Sequence, residues 1–189
     1  MAAIFSPGFG PLTTIHRPTA ENDNSHTPVG PEELRIAMRG WPSGVTIVAA
    51  CDGGDMHGMT VSSFTSVSLE PPLVLICAER ATRTHRLIEA SGAFAVSVLA
   101  QGHGDWSDRF GGRETEHIDR FEGVPTITAV TGSPILADHV SYFDCLVTGA
   151  HEAGTHTIFV GQVVAAGLAD GRAPLLYWRQ GYHRLAGGQ

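Results

Sequence analysis

Gly58-Met59-Thr60-Val61-Ser62-Ser63-Phe64-Thr65-Ser66-Val67-Ser68-Leu69-Glu70-Pro71-Pro72 places six hydroxylic residues in the nine positions from Thr60 to Ser68, with no charge before Glu70. Read as one strand over Gly58 to Ser68, it puts Thr60, Ser62 and Phe64 on one face and Val61, Ser63 and Thr65 on the other. Hydroxyls then line both faces. A strand that only filled a core would carry Val, Ile or Leu on at least one side, because an unpartnered buried hydroxyl costs about 1 to 3 kcal/mol. Two readings fit the pattern equally: a surface of neutral donors and acceptors for a polar, uncharged ligand, or an edge strand whose hydroxyls face water or bridge a neighbour.

Around this run the sequence predicts further strands at Val45 to Cys51, Leu73 to Ala78, Phe94 to Leu99, Tyr142 to Thr148 and Thr157 to Val164, with a shorter one near Leu175 to Trp178. Asp52-Gly53-Gly54-Asp55 reads as a hairpin turn, so the first two strands should pair antiparallel. Pro31-Glu32-Glu33 opens a helix with Leu34, Ala37 and Met38 as its apolar stripe, ended by Trp41-Pro42-Ser43-Gly44. A second helix is expected from Thr82 to Ala90, closed by Ser91-Gly92. A third helical region covers roughly His103 to Arg120, with a break at Gly111-Gly112. So many strands with so few helices indicate a closed or partly closed antiparallel barrel. Residues 1 to 30 are rich in Pro, Gly, Asn, Asp and Thr without a period and read as a flexible arm before one domain at 31 to 189.

Composition narrows the function. A net charge of −7 with no basic run argues against nucleic acid. All twelve basic residues are Arg, so Schiff-base chemistry and a phosphate-loop lysine are excluded and any anion must meet Arg, hydroxyls or backbone N–H groups. The apolar stretches are of strand length, too short for a membrane helix, and no secretory signal is visible, so a cytoplasmic location is expected. Cys51, Cys77 and Cys145 are odd in number and widely spaced, and read as reduced core thiols. The ten histidines match no ligand spacing, and no metal is expected.

A second polar cluster, Glu79-Arg80-Ala81-Thr82-Arg83-Thr84-His85-Arg86, lies where a buried strand gives way to a helix. Free N–H groups, hydroxyls and an Arg fork there can hold a phosphate. Alternatively Thr82 is an N-cap and Arg83 and Arg86 are solvated.

In order and spacing, Trp41-Pro42-Ser43-Gly44-Val45, the run Gly58 to Pro72, Arg83-Thr84-His85, Ser91-Gly92-Ala93-Phe94-Ala95-Val96-Ser97-Val98-Leu99, Gly154-Thr155-His156-Thr157-Ile158-Phe159-Val160-Gly161 and Pro174-Leu175-Leu176-Tyr177-Trp178 with Gly181-Tyr182 are notable. Over roughly Leu34 to Leu185 the chain resembles the flavin reductases that serve two-component flavin monooxygenases. The resemblance implies a mainly β FMN-binding split barrel, antiparallel and Greek-key-like with a few flanking helices, acting as an NAD(P)H:flavin oxidoreductase. It implies FMN or FAD and NADH or NADPH as ligands, a homodimer, and an oxygenase partner that receives reduced flavin. By the same resemblance Thr60, Ser62 and Ser63 meet the flavin ring and ribityl chain and Thr82, Arg83 and Thr84 its phosphate. Pro42, Ser43, Met59, Val61, Ala81, Phe110 and Gly111 complete the contacts, and His156 is the catalytic candidate, with a backbone-satisfied strand-edge histidine as its bland alternative. A tightly FMN-binding electron carrier without NAD(P)H turnover is the competing reading, and an interaction module whose hydroxyl strand is filled by protein is a third.

Overall fold

Two glycines with positive φ, Gly53 at 56° and Gly54 at 87°, turn the chain between β2 (Thr46–Asp52) and β3 (Asp55–Val61), which pair antiparallel as the sequence predicts. The computed structural model describes residues 28–112 and 119–185. The remaining elements in chain order are α1 (Pro31–Met38), β1 (Ser43–Gly44), β4 (Thr65–Leu69), β5 (Pro72–Glu79), α2 (Arg83–Ser91), β6 (Ala93–Val98) and α3 (Gly104–Phe110). They are followed by β7 (Thr126–Ile127), β8 (Ile135–Leu136), β9 (Ser141–Ala153), β10 (His156–Leu168), β11 (Leu176–Trp178) and β12 (Gly181–His183). The expected arm lies outside the described residues apart from 28–30.

Seven strands form one antiparallel sheet in the order β3-β2-β6-β9-β10-β5-β4. Its edge strands, β3 and β4, are consecutive in sequence and joined only by Ser62-Ser63-Phe64. That link spans no more than roughly 14 Å between Val61 and Thr65, so the sheet must curl until its edges nearly meet. The result is a barrel with a split between β3 and β4, where no ladder closes it.

The predicted single strand from Gly58 to Ser68 is therefore two. Ser63 explains the break: its hydroxyl donates to the Cys77 carbonyl (3.2 Å) and accepts from the Cys77 N–H (3.0 Å), stitching the link to β5. Backbone pairing is replaced here by a side chain that serves both a donor and an acceptor.

Both faces of β2 are buried, and alternate residues feed two cores. Val48 and Ala50 pack with Ile76, Phe94, Val96 and Phe159 and with Leu87 and Ile88 of α2. Ile47 and Ala49 pack with Leu99, Phe110, Phe121 and Leu136. A second, three-stranded sheet, β1-β11-β12, flanks this second core through Tyr177 and Tyr182. Gly58 is a glycine because a Cβ there would lie 2.9 Å from the Phe110 ring and 3.1 Å from that of Phe121.

Helix α2 forms as expected, capped by Thr82 at its start and by left-handed Gly92 at its end. Helix α1 also forms, but none of its residues is buried, so the expected stripe of Leu34 and Met38 faces outward in the single chain. The third helical region is shorter than predicted: α3 stops at Phe110, residues 113–118 are outside the described set, and Asp119 and Arg120 are not helical. No described helix is long and apolar enough to cross a membrane.

Candidate functional site

At the split, a cavity of about 370 Å³ opens against Met59, Thr60, Val61, Ser62 and Ser63 on one side. Cys77, Glu79 and Thr82 face them, with Phe110, Gly111, Arg120 and His156 around the rim and floor. β3 is an edge strand, so one row of its backbone groups has no strand partner and is left for a ligand. The cavity mixes the hydroxylic residues Thr60, Ser62, Ser63 and Thr82 with the apolar Met59, Val61 and Phe110, and carries Glu79, Arg120 and His156 as its ionisable groups. That donor set suits a flat heteroaromatic ring bearing N–H and C=O edges.

The hydroxyls of the run have separate duties. Thr60 donates to the Ser107 carbonyl (2.6 Å), tying β3 to α3. Ser63 is engaged with Cys77 as described, so its hydroxyl serves the seam. Ser62 is exposed and makes no hydrogen bond to any described residue, which leaves its hydroxyl for a ligand. The ligand surface and the strand bridge that the sequence left open are thus both present, one residue apart.

The turn before α2 divides in the same way. Thr82 lines the cavity while accepting from the His85 N–H (3.2 Å) and donating to the Glu79 carbonyl (2.7 Å), so it is an N-cap and a wall at once. Arg83 is half-exposed and pairs with Asp55. Thr84 departs from the sequence-based placement against a phosphate: it is fully buried, and its hydroxyl lies 2.8 Å from His57 Nδ1. His85 is also buried, with Nε2 2.8 Å from the Thr157 hydroxyl. Together these two bonds pin the N-terminus of α2 to β3 and β10. Ala81 and Pro42 are exposed and outside the cavity lining; Ser43, half-buried, is also outside it and lines a neighbouring groove that includes Ser62.

Arg120 is the residue that sequence reasoning missed. Its guanidinium donates to the carbonyls of Gly58 (3.0 Å) and Phe110 (2.9 Å), and burial lowers its pKa without depriving an arginine of its charge. No described carboxylate lies within ion-pair distance of it. No motif flags Arg120, because it reaches the cavity from a loop far along the chain. Cys77 is a second omission: predicted as a core thiol, it is only half-buried and lines the cavity, whereas Cys145 is buried and its thiol pushed up to about 12 by burial and by Asp144. His57 sits between the positive groups. Burial first, then Arg120 and Arg83, lower its pKa to about 4, so it is neutral at ordinary pH.

His156 stands at the start of β10, opposite Glu79 in register, with Nδ1 3.0 Å from the Thr155 hydroxyl. It is exposed at the cavity rim, and its Nε2 has no hydrogen-bond partner among the described residues. Among those residues, no group of three His, Cys, Asp or Glu side chains is placed to hold a metal.

Residues 38–186 match the model of the flavin reductase like domain. The chain belongs to this flavin reductase family. The reductase subunit HsaB of a flavin-dependent monooxygenase from Rhodococcus jostii is 35% identical over 154 residues, covering 82% of this chain and 77% of that protein. The FMN reductase (NADH) RutF of Ancylobacter novellus is 36% identical over 156 residues, with 82% and 86% covered. Among solved structures, the NADH:FAD oxidoreductase of Streptomyces globisporus superposes with a TM-score of 0.78 at 34% identity, covering 86% of this chain and 99% of that one. The family's flavin reductases share the split-barrel architecture found here.

Proposed function

We propose that this protein is an NAD(P)H-dependent flavin reductase that reduces FMN or FAD and releases the reduced flavin to a partner oxygenase. The observation that carries the reading is the cavity at the barrel split, where the unspent hydroxyl of Ser62 and the open edge of β3 face the capped N-terminus of α2. Membership of the flavin reductase family and the similarity to reductase subunits support it. With both nucleotides bound, the chemistry supplied is hydride transfer from C4 of the nicotinamide to N5 of the flavin.

The chain's own residues bind and orient. Ser62 and the β3 edge take the ring and ribityl chain. Thr82 and the α2 N-terminus take the phosphate, with Arg120 adding a fixed positive charge; Arg83, which lies outside the cavity lining and pairs with Asp55, would have to exchange that partner for the phosphate. Because the ring contacts are neutral, they fit oxidised and reduced flavin alike and favour exchange over permanent retention. His156 at the cavity rim, with Nε2 free of any described partner, would orient the nicotinamide, and holding the two rings in a near-attack arrangement would lower the barrier by up to about 7 to 11 kcal/mol. A homodimer belongs to the same proposal: edge strand β4 exposes Val67 and Leu69, and burying them against a second copy would cover an open edge. So does the cytoplasm, where reduced nicotinamide nucleotide is available.

The test is direct. Purified protein mixed with NADH or NADPH and with FMN or FAD should consume the nicotinamide absorbance in at least one of the four combinations. Unchanged absorbance in all four refutes the proposal.

A further inference from the structure

Two charged residues stand against local preference, and each is accommodated by the other. Arg83 is the first residue of α2, whose opening turn carries no acid, so its cation lies at the positive end of the helix dipole. Asp55 opens β3 directly across the ladder from Asp52, where like charges repel. Their side chains meet in an ion pair that ties the β2–β3 hairpin to α2 across 28 residues of sequence.

This pair sits beside the phosphate end of the flavin cavity. Thr82, the residue before Arg83, lines that cavity, and the backbone N–H groups of Arg83 and Thr84 have no hydrogen-bond partner among the described residues. His57 lies among the same charges: burial, then Arg120 and Arg83, push its pKa down, and Asp55 pulls it up. The two arginines differ in freedom. Arg120 is fixed by donation to the carbonyls of Gly58 and Phe110, whereas Arg83 is held only by a carboxylate. Both members of that pair are about half exposed, at 50% and 49%, so the contact is worth a factor of at most about five in an equilibrium. A phosphate, which offers the same guanidinium a stronger charge and more acceptor oxygens, can break it.

We propose that Asp55 is a positioning residue that acts through Arg83, competing with the flavin phosphate for its guanidinium and so keeping FMN exchangeable. The proposal rests on the flavin reductase reading and names the group that sets how tightly its phosphate site holds. Binding swaps one anion for another at Arg83, so the phosphate gains only the difference between two ion pairs. On release the carboxylate takes the guanidinium back. Riboflavin, which carries no phosphate, does not enter this competition.

Fluorescence titration of FMN and riboflavin into wild type, Asp55→Asn, Arg83→Gln and the double variant tests it. Asp55→Asn should tighten FMN about threefold to fivefold and leave riboflavin unchanged, which also reports an intact fold. Arg83→Gln should weaken FMN about tenfold, the size expected for loss of a charge-assisted hydrogen bond. In the double variant the gain from Asp55→Asn should vanish, because the carboxylate acts only on Arg83. In turnover, KM for FMN should fall in Asp55→Asn by the same factor, while KM for riboflavin stays fixed. Unchanged FMN affinity in Asp55→Asn overturns the proposal, as does an equal gain for riboflavin or a gain that survives in the Arg83→Gln background. The titrations require no turnover. A phosphate-specific gain in a protein that oxidises no NAD(P)H refutes the reductase reading alone, and normal oxidation with equal FMN affinity in wild type and Asp55→Asn refutes the role of Asp55 alone. Absence of FMN binding by wild type overturns both.

Discussion

The run from Met59 to Ser63 and the turn from Ala81 to His85 look alike in sequence, each a short polar cluster beside a buried strand, yet the fold uses them in opposite proportions. In the first, Ser63 is spent on the seam and Ser62 faces three cavities. In the second, Thr84 and His85 both turn inward to anchor α2, and only Thr82 also reaches the cavity. Density of polar residues marks where a site lies; direction decides which of them belong to it. A helix rotates successive side chains through about 100°, so Thr84 is carried into the interior two residues after the cap, whereas the irregular link at Ser62 and Ser63 sends neighbours to different tasks.

Ser63→Ala should have the largest effect on stability. It leaves the N–H and C=O of Cys77 without their partner, and denaturant unfolding should show a loss of about 2 to 3 kcal/mol. A loss within error would mean that the split is not held by this side chain. Thr84→Val keeps shape but removes the partner of His57, and should cost about 1 to 2 kcal/mol in the same measurement.

His57 sharpens the contrast through pH. Its pKa falls from 6.5 in the unfolded chain to about 4 in the fold, so the unfolded state binds the extra proton between those values. Stability is therefore full above about pH 6.5 and is lost as pH falls toward 4, by about 1 to 2 kcal/mol once solvent screening of this half-exposed group is allowed for. His57→Gln should flatten that part of a stability profile measured against pH. The smallest stability effect is expected for Thr82→Ala, about 1 kcal/mol for a lost N-cap, accompanied by weaker binding of FMN than of riboflavin relative to wild type.

Much of this arrangement is legible in the residues. Asp52-Gly53-Gly54-Asp55 specifies its hairpin because two consecutive positive φ values suit glycine, and the near-continuous apolar runs of β5 and β6, of strand length, place them correctly. The break at Ser62 to Phe64 is not legible, since the polar alternation runs through it and only tertiary bonding to Cys77 interrupts the ladder. The long ribbon of β9 and β10 extends past the predicted Tyr142 to Thr148 and Thr157 to Val164, because its hairpin end is exposed and polar and the far end of β10 is Ala165-Ala166-Gly167-Leu168, small residues with weak strand preference before an exposed leucine. Strands β7 and β8 are two residues each and leave no periodic trace. For the site, Ser62, Thr82 and His156 could be named from sequence and lie at the cavity, whereas Arg120 could not, since backbone carbonyls from two distant elements hold it there.

Fluorescence titration of FMN into wild type, Ser62→Ala and Thr84→Val tests the division between outward and inward hydroxyls most directly. Ser62→Ala should weaken FMN roughly threefold to tenfold, the range for one hydrogen bond, while Thr84→Val binds FMN as wild type does despite unfolding earlier. Unchanged affinity in Ser62→Ala together with weakened affinity in Thr84→Val would contradict the account.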